Sequence, residues 1–123
     1  MRLLNTCLVT LILLFFTATG KAQLLMIRNF APSYYSSSTQ NWGVAEGFGG
    51  QMFFGNNRGL LSYDGDEWTL SFVANYTSVR SVLMSSDGKL LYAGATDEFG
   101  YFQMSGHSKQ LVYTSLSAQL PHP

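Results

Sequence analysis

The chain is poor in cysteine, histidine and charge. Its single cysteine, Cys7, lies within the first two dozen residues, and none follows Gln23. No disulfide can therefore staple the remainder, which must be held by packing. Charged residues make up 11% of the chain, against roughly 25% in ordinary soluble domains. From Gln23 onward five basic residues (Arg28, Arg58, Arg80, Lys89, Lys109) stand against seven acidic ones, a net charge of −2. Without a basic patch there is no electrostatic footprint for a phosphate backbone, and nucleic acid is excluded as a partner of this segment. The two histidines, His107 and His122, fall in a hairpin tip and at the chain end. They read as solvated side chains, not as zinc ligands. There is no G-x-S-x-G motif, and beyond the leader there is neither a Cys nor a His near a plausible serine partner in sequence, so no catalytic constellation is expected and the segment is not read as an enzyme.

What is present begins with a leader. Arg2 supplies a positive start, Leu8–Phe16 an apolar run, and Thr19-Gly20-Lys21-Ala22 small residues before a cut near Ala22–Gln23. The run falls short of the roughly 20 residues a membrane span needs and suits a secretory signal over residues 1–22. An uncleaved anchor is the alternative. Cys7 precedes the apolar run and is misplaced for lipid attachment.

The rest is organised by an internal repeat. One copy runs from Trp42 to Phe72, the second from Val79 to Ser115. Val44 and Gly50 recur 38 positions on as Val82 and Gly88, and Gly55 recurs at 39 as Gly94. Gly59, Leu70 and Phe72 recur at 41 as Gly100, Leu111 and Tyr113, which places a loop insertion at Thr96-Asp97-Glu98. Each copy divides into four short strands parted by Gly- and Asp-containing turns. The first is expected over Gly43–Glu46, Gln51–Gly55, Gly59–Tyr63 and Glu67–Phe72. The second is expected over Val79–Met84, Lys89–Ala93, Gly100–Met104 and Gln110–Thr114. No stretch after the leader holds helical periodicity, so helix content there should be near zero. Met52-Phe53-Phe54 and Leu90-Leu91-Tyr92 are apolar without alternation, so their strands need cover on both sides.

A period of about 40 residues, four strands each and sheets covered on both faces describe an all-β fold of β-propeller blades. An antiparallel sandwich ranks second. The expected organisation is an N-terminal strand and loop over 23–41, a first blade over 42–78, and a second blade with a truncated end over 79–123. Within the first of these, Leu24–Phe30 is expected as a strand, Pro32–Tyr35 as a turn and Ser36–Gln40 as an unstructured surface link. Propellers close with about four to eight blades. Two blades alone leave an apolar face bare on each sheet, and no capping element is evident, so the chain is expected to be the front of a longer protein.

Few residues carry chemistry. Asp64-Gly65-Asp66-Glu67 lacks the spacing of a calcium loop and reads as a hairpin turn. Asp97–Glu98 reads as a solvated loop tip, with cation or sugar binding as the alternative. Gly47-x-Gly49-Gly50 lacks the strand-to-helix context of a phosphate loop. Asn75-Tyr76-Thr77 fits the N-glycosylation pattern, which matters only in a eukaryotic secretory route. Trp42, Trp68, Tyr63, Tyr101 and Phe102 could stack on a sugar ring, but at strand spacing they read first as packing residues. The one candidate ligand-binding residue is Arg80, beside Val79 and Val82 on the innermost strand. It would point into the channel or pair with a carboxylate of the next blade.

The order TQNW (Thr39–Trp42), FFGNNRGLLSYDG (Phe53–Gly65), Trp68, VRSV (Val79–Val82), DGKLLYAG (Asp87–Gly94) and DEFGYF (Asp97–Phe102) resembles the opening blades of regulator propellers. These are periplasmic sensors of Gram-negative bacteria, found in hybrid two-component systems and related helix-turn-helix regulators. The resemblance spans Leu24 to Pro121. It implies a periplasmic module of signal transduction that senses a carbohydrate, with an oligosaccharide ligand, the downstream blades as its partners and no cofactor. It transfers no site residue, because ligand contacts in that family vary and lie largely outside the first two blades. A fragment of an exported propeller enzyme or carbohydrate-binding protein is the alternative.

Overall fold

The computed structural model describes residues 1–16, 26–106 and 110–121. It is mostly β, with two four-stranded antiparallel sheets in strand orders β1-β2-β3-β4 and β5-β6-β7-β8. The first sheet comprises β1 (Asn41–Gly47), β2 (Gln51–Asn56), β3 (Gly59–Tyr63) and β4 (Trp68–Ser71). The second comprises β5 (Val79–Met84), β6 (Leu91–Ala95), β7 (Glu98–Met104) and β8 (Leu111–Ser115). All eight strands expected from the repeat are present, with ends displaced by at most two residues. Helix α1 (Arg2–Phe16) occupies the leader, and the expected cut at Ala22–Gln23 lies outside the described residues. Among the described residues no helix is long and apolar enough to cross a membrane.

Alternation along the strands divides each sheet into two faces. On the first sheet Ala45, Phe53, Gly55 and Leu60 turn toward the second sheet, which answers with Val82, Met84, Leu91, Ala93 and Phe102. Phe53, Leu60, Val79, Leu91 and Phe102 are at most 1% exposed and form the core, with Phe48 edge-on to Phe53 at 5.5 Å. The sheets come closest where β5 lies on β1 and β2. A Cβ at Gly55 would stand 2.9 Å from the Val79 carbonyl oxygen, so the glycine admits the β5 backbone. Farther out, toward β4 and β8, the sheets part around a groove of about 800 Å³. Two sheets that touch at their first strands and diverge at their last form a wedge.

The other face of the first sheet is covered over Phe54, Tyr63 and Trp68, while Val44 at its β1 edge stays exposed. Phe30 packs edge-on against Tyr63 (5.1 Å) and Trp68 (5.2 Å), and Tyr35 leans on Trp68 at 5.4 Å. Tyr63 stacks on Trp68 at 4.6 Å, and Phe54 lies 5.7 Å from it. This aromatic layer corrects two expectations. No strand forms over residues 26–30, because Phe30 is spent on the sheet face while Met26 and Ile27 stay exposed. The first sheet also has a cap, carried by Phe30 and the short helix α2 (Pro32–Tyr35).

Ser36–Gln40, expected as a free link, is tied down by a buried asparagine. Asn56 Nδ2 donates to the Ser38 carbonyl (2.7 Å) and to Asn41 Oδ1 (2.8 Å). Its Oδ1 accepts from Ser37 Oγ (2.8 Å) and from the Arg58 backbone N–H (3.0 Å). A fully buried amide needs such partners, and here the loop supplies two of the four.

The insertion is also relocated. Both sheets join their second and third strands by a two-residue turn, Asn57-Arg58 and Thr96-Asp97, which puts Gly59 in register with Glu98. The offset of 39 holds from Gly55/Gly94 through Tyr63/Phe102, and Phe102 then pairs with Tyr113 where Tyr63 pairs with Trp68. The extra residues therefore lie in the β7–β8 hairpin.

Candidate functional site

Most of the residues singled out in the sequence are structural. Asp64 Oδ1 accepts from the backbone N–H groups of Asp66 (3.0 Å) and Glu67 (2.8 Å), which makes the acidic run a hairpin turn. Among the described residues no group of three or more His, Cys, Asp or Glu could hold a metal ion. Asn75 is engaged with its own turn: its Oδ1 accepts from Thr77 Oγ1 (2.7 Å), and its Nδ2 donates to the Thr96 carbonyl (2.9 Å). Trp68 and Tyr63 belong to the aromatic cap and Phe102 to the core, while Tyr101 lies 6.4 Å from Tyr92 on the far face of the second sheet. His107 and His122 lie outside the described residues.

Glu98 is not a loop tip. It opens β7, and its Oε1 accepts from Tyr113 Oη (2.9 Å) and Ser115 Oγ (2.7 Å). Burial alone would raise its pKa, but hydrogen bonds from Ser115, Ser117, Tyr113 and the Phe99 N–H hold it below the usual carboxylate value. Burial, and then the hydrogen bond to Glu98, push the Tyr113 phenol well above its ordinary value. Tyr113 stays protonated in the folded chain where the unfolded chain would ionise. Its contribution is full below about pH 10 and is lost as the pH rises toward its folded value. Glu98 has the opposite sense, contributing above about pH 4.3 and losing that contribution as the pH falls. Denaturant midpoints across pH should therefore show a plateau between these limits. Tyr113→Phe should flatten the alkaline decline, and an unchanged decline would contradict the assignment.

One constellation is exposed and serves no evident packing purpose. β1 and β5 each carry a bulge one residue from their start. Register shifts between Asn41 and Gly43, leaving Trp42 as the extra residue, and again between Val79 and Ser81, leaving Arg80. A bulge bends its strand and re-aims the extra side chain. Here two matching bulges aim side chains from adjacent sheets at one spot. The Arg80 guanidinium carbon sits 4.1 Å from the Trp42 ring centroid, a cation–π contact.

The pair is held from both sides. Trp42 Nε1 donates to Asn57 Oδ1 (2.8 Å), and Asn57 Nδ2 donates to Gln40 Oε1 (3.1 Å). Arg80 Nε donates to Ser78 Oγ (3.2 Å). Trp42 is 44% exposed and Arg80 is also exposed. Within the described residues Arg80 meets the Trp42 ring of the neighbouring sheet, a contact that the sequence reading did not anticipate. Trp42 was grouped with packing aromatics because a bulge leaves no mark in composition or alternation. The TQNW motif, whose Gln40 and Trp42 both serve the pair, was the available signal. Compared with models of protein families, with curated proteins and with solved structures, the chain matches none.

Proposed function

We propose that this chain forms the first two blades of an exported, periplasmic ligand-sensing propeller of the regulator-propeller kind, a module of bacterial signal transduction whose ligand is an oligosaccharide. The observation that carries the binding reading is the Trp42–Arg80 pair, two exposed side chains aimed together by twin bulges. An exposed indole with amide and guanidinium groups around it is the combination that sugar rings favour, apolar on the ring and hydrogen-bonding at the rim.

The propeller reading is supported by the wedge between the sheets and by the register. Ala45, Phe53 and Leu60 receive β5, and the residues in register with them on the second sheet are Leu83, Tyr92 and Phe99. The step that sets the second sheet on the first can therefore be repeated, with a third sheet as the next occupant. β1 and β5 are then the innermost strands, and the Trp42–Arg80 pair lies at the channel.

The test is equilibrium titration of the exported protein with oligosaccharides, read by calorimetry. Trp42→Ala should weaken binding at least about tenfold, equivalent to about 1.4 kcal/mol, with the thermal melt unchanged. Equal affinity in the variant would overturn the reading.

A further inference from the structure

We infer that the sugar recognised at this pair carries a carboxylate, as a uronic acid does, and that the terminal fork of Arg80 receives it. The inference rests on the sugar-sensing reading above and names its ligand class.

Three features of Arg80 lead to it. Its Nε is already used by Ser78 Oγ, and its face is covered by Trp42, so the orientation of the guanidinium plane is set before any ligand arrives. Its two Nη groups have no hydrogen bond or ion pair among the described residues. The side chain is exposed, so a solute can reach them. A guanidinium with its face and Nε engaged offers one vacant edge, two parallel N–H groups in its plane. That edge matches the two oxygens of a carboxylate, the bidentate fork that distinguishes arginine from lysine.

The surroundings favour a single negative charge over a phosphate dianion. Arg58, on the turn that also holds Asn57, spends its Nη1 on the Ser36 carbonyl (2.9 Å). Lys89 lies beyond the opposite end of β5, beside Asp87. Among the described residues Arg80 is thus a lone cation with one free edge, and it sits against an indole on which a pyranose ring can rest.

The experiment compares a galacturonic acid trisaccharide, its neutral galactose counterpart and inorganic phosphate, titrated into the full exported chain by calorimetry. The acidic sugar should bind at least about tenfold more tightly than the neutral one, with a preference that shrinks as salt rises. Arg80→Lys keeps the charge but loses the fork, and should cost most of that preference. Arg80→Gln should abolish it, so that the acidic and neutral sugars bind the variant alike. Equal binding of both sugars, or no effect of Arg80→Gln, overturns the carboxylate assignment and leaves the sugar-sensing reading standing. Phosphate that displaces the acidic sugar at equal concentration also overturns it, showing a general anion site. Binding of neither sugar overturns both.

Discussion

Replacing Phe53 with alanine should remove about 3–5 kcal/mol of stability, while Tyr92→Ala should cost under about 1 kcal/mol. The two aromatics stand at the same register position: Phe53 pairs with Ala45 as Tyr92 pairs with Leu83. Phe53 is fully buried beneath the second sheet, where truncation leaves a cavity lined by Leu60 and Phe48. Tyr92 is 41% exposed on a face that no described residue covers, so its truncation exposes little that was dry. Domains hold only about 5–15 kcal/mol in total, so Phe53→Ala should leave much of the chain unfolded at room temperature. Urea titrations followed by circular dichroism, run at low protein concentration, measure both. Equal costs would mean that the Tyr92 face is buried in solution, and the asymmetry between the sheets would be wrong.

Much of this architecture was legible in the residues, for identifiable reasons. Gly-, Asn- and Asp-containing turns and the repeat placed all eight strands, because turn signals are local and the second copy restates the first. The pairing of copies went astray where it trusted glycine identity. Gly59 follows a two-residue turn at positive φ, with the Ser71 carbonyl against its α-carbon. Gly100 lies two residues deeper in its strand, kept bare by the Thr114 carbonyl and the Tyr113 ring. The two glycines answer different demands, so aligning them misplaced the insertion. The cap was missed because Phe30, Tyr34 and Tyr35 have no periodicity that announces a covering role. Asn56 was missed because one amide in a strand looks like turn chemistry until its four partners are seen. Arg80 was singled out by its charge on an apolar strand, but its contact with Trp42 depends on two bulges and an inter-sheet distance, none of which is local.

The chain should self-associate through the far face of its second sheet. Leu83, Tyr92, Phe99 and Val112 are each more than 40% exposed there, while on the outward face of the first sheet Phe30 and Tyr35 cover Trp68 and leave Val44 as the exposed apolar residue. Contiguous apolar surface of this kind marks an interaction site. Covering about 400 Å² of it is worth roughly 10 kcal/mol at about 25 cal/mol per Å², enough to offset the lower range of association costs of about 4–15 kcal/mol. Light scattering at tens of micromolar should therefore find species larger than a monomer. The double variant Leu83→Lys/Phe99→Lys places two like charges on that face and should restore a monomer. Its thermal melt at low concentration should match that of the parent, because neither side chain is packed against the core between the sheets. A parent chain that stays monomeric would show that the face needs no cover, and with it the case for a third sheet seated there would fail. A variant that still associates would place the contact elsewhere, the exposed apolar residues of α1 (Leu8, Val9, Leu11 and Ile12) being the next surface to charge.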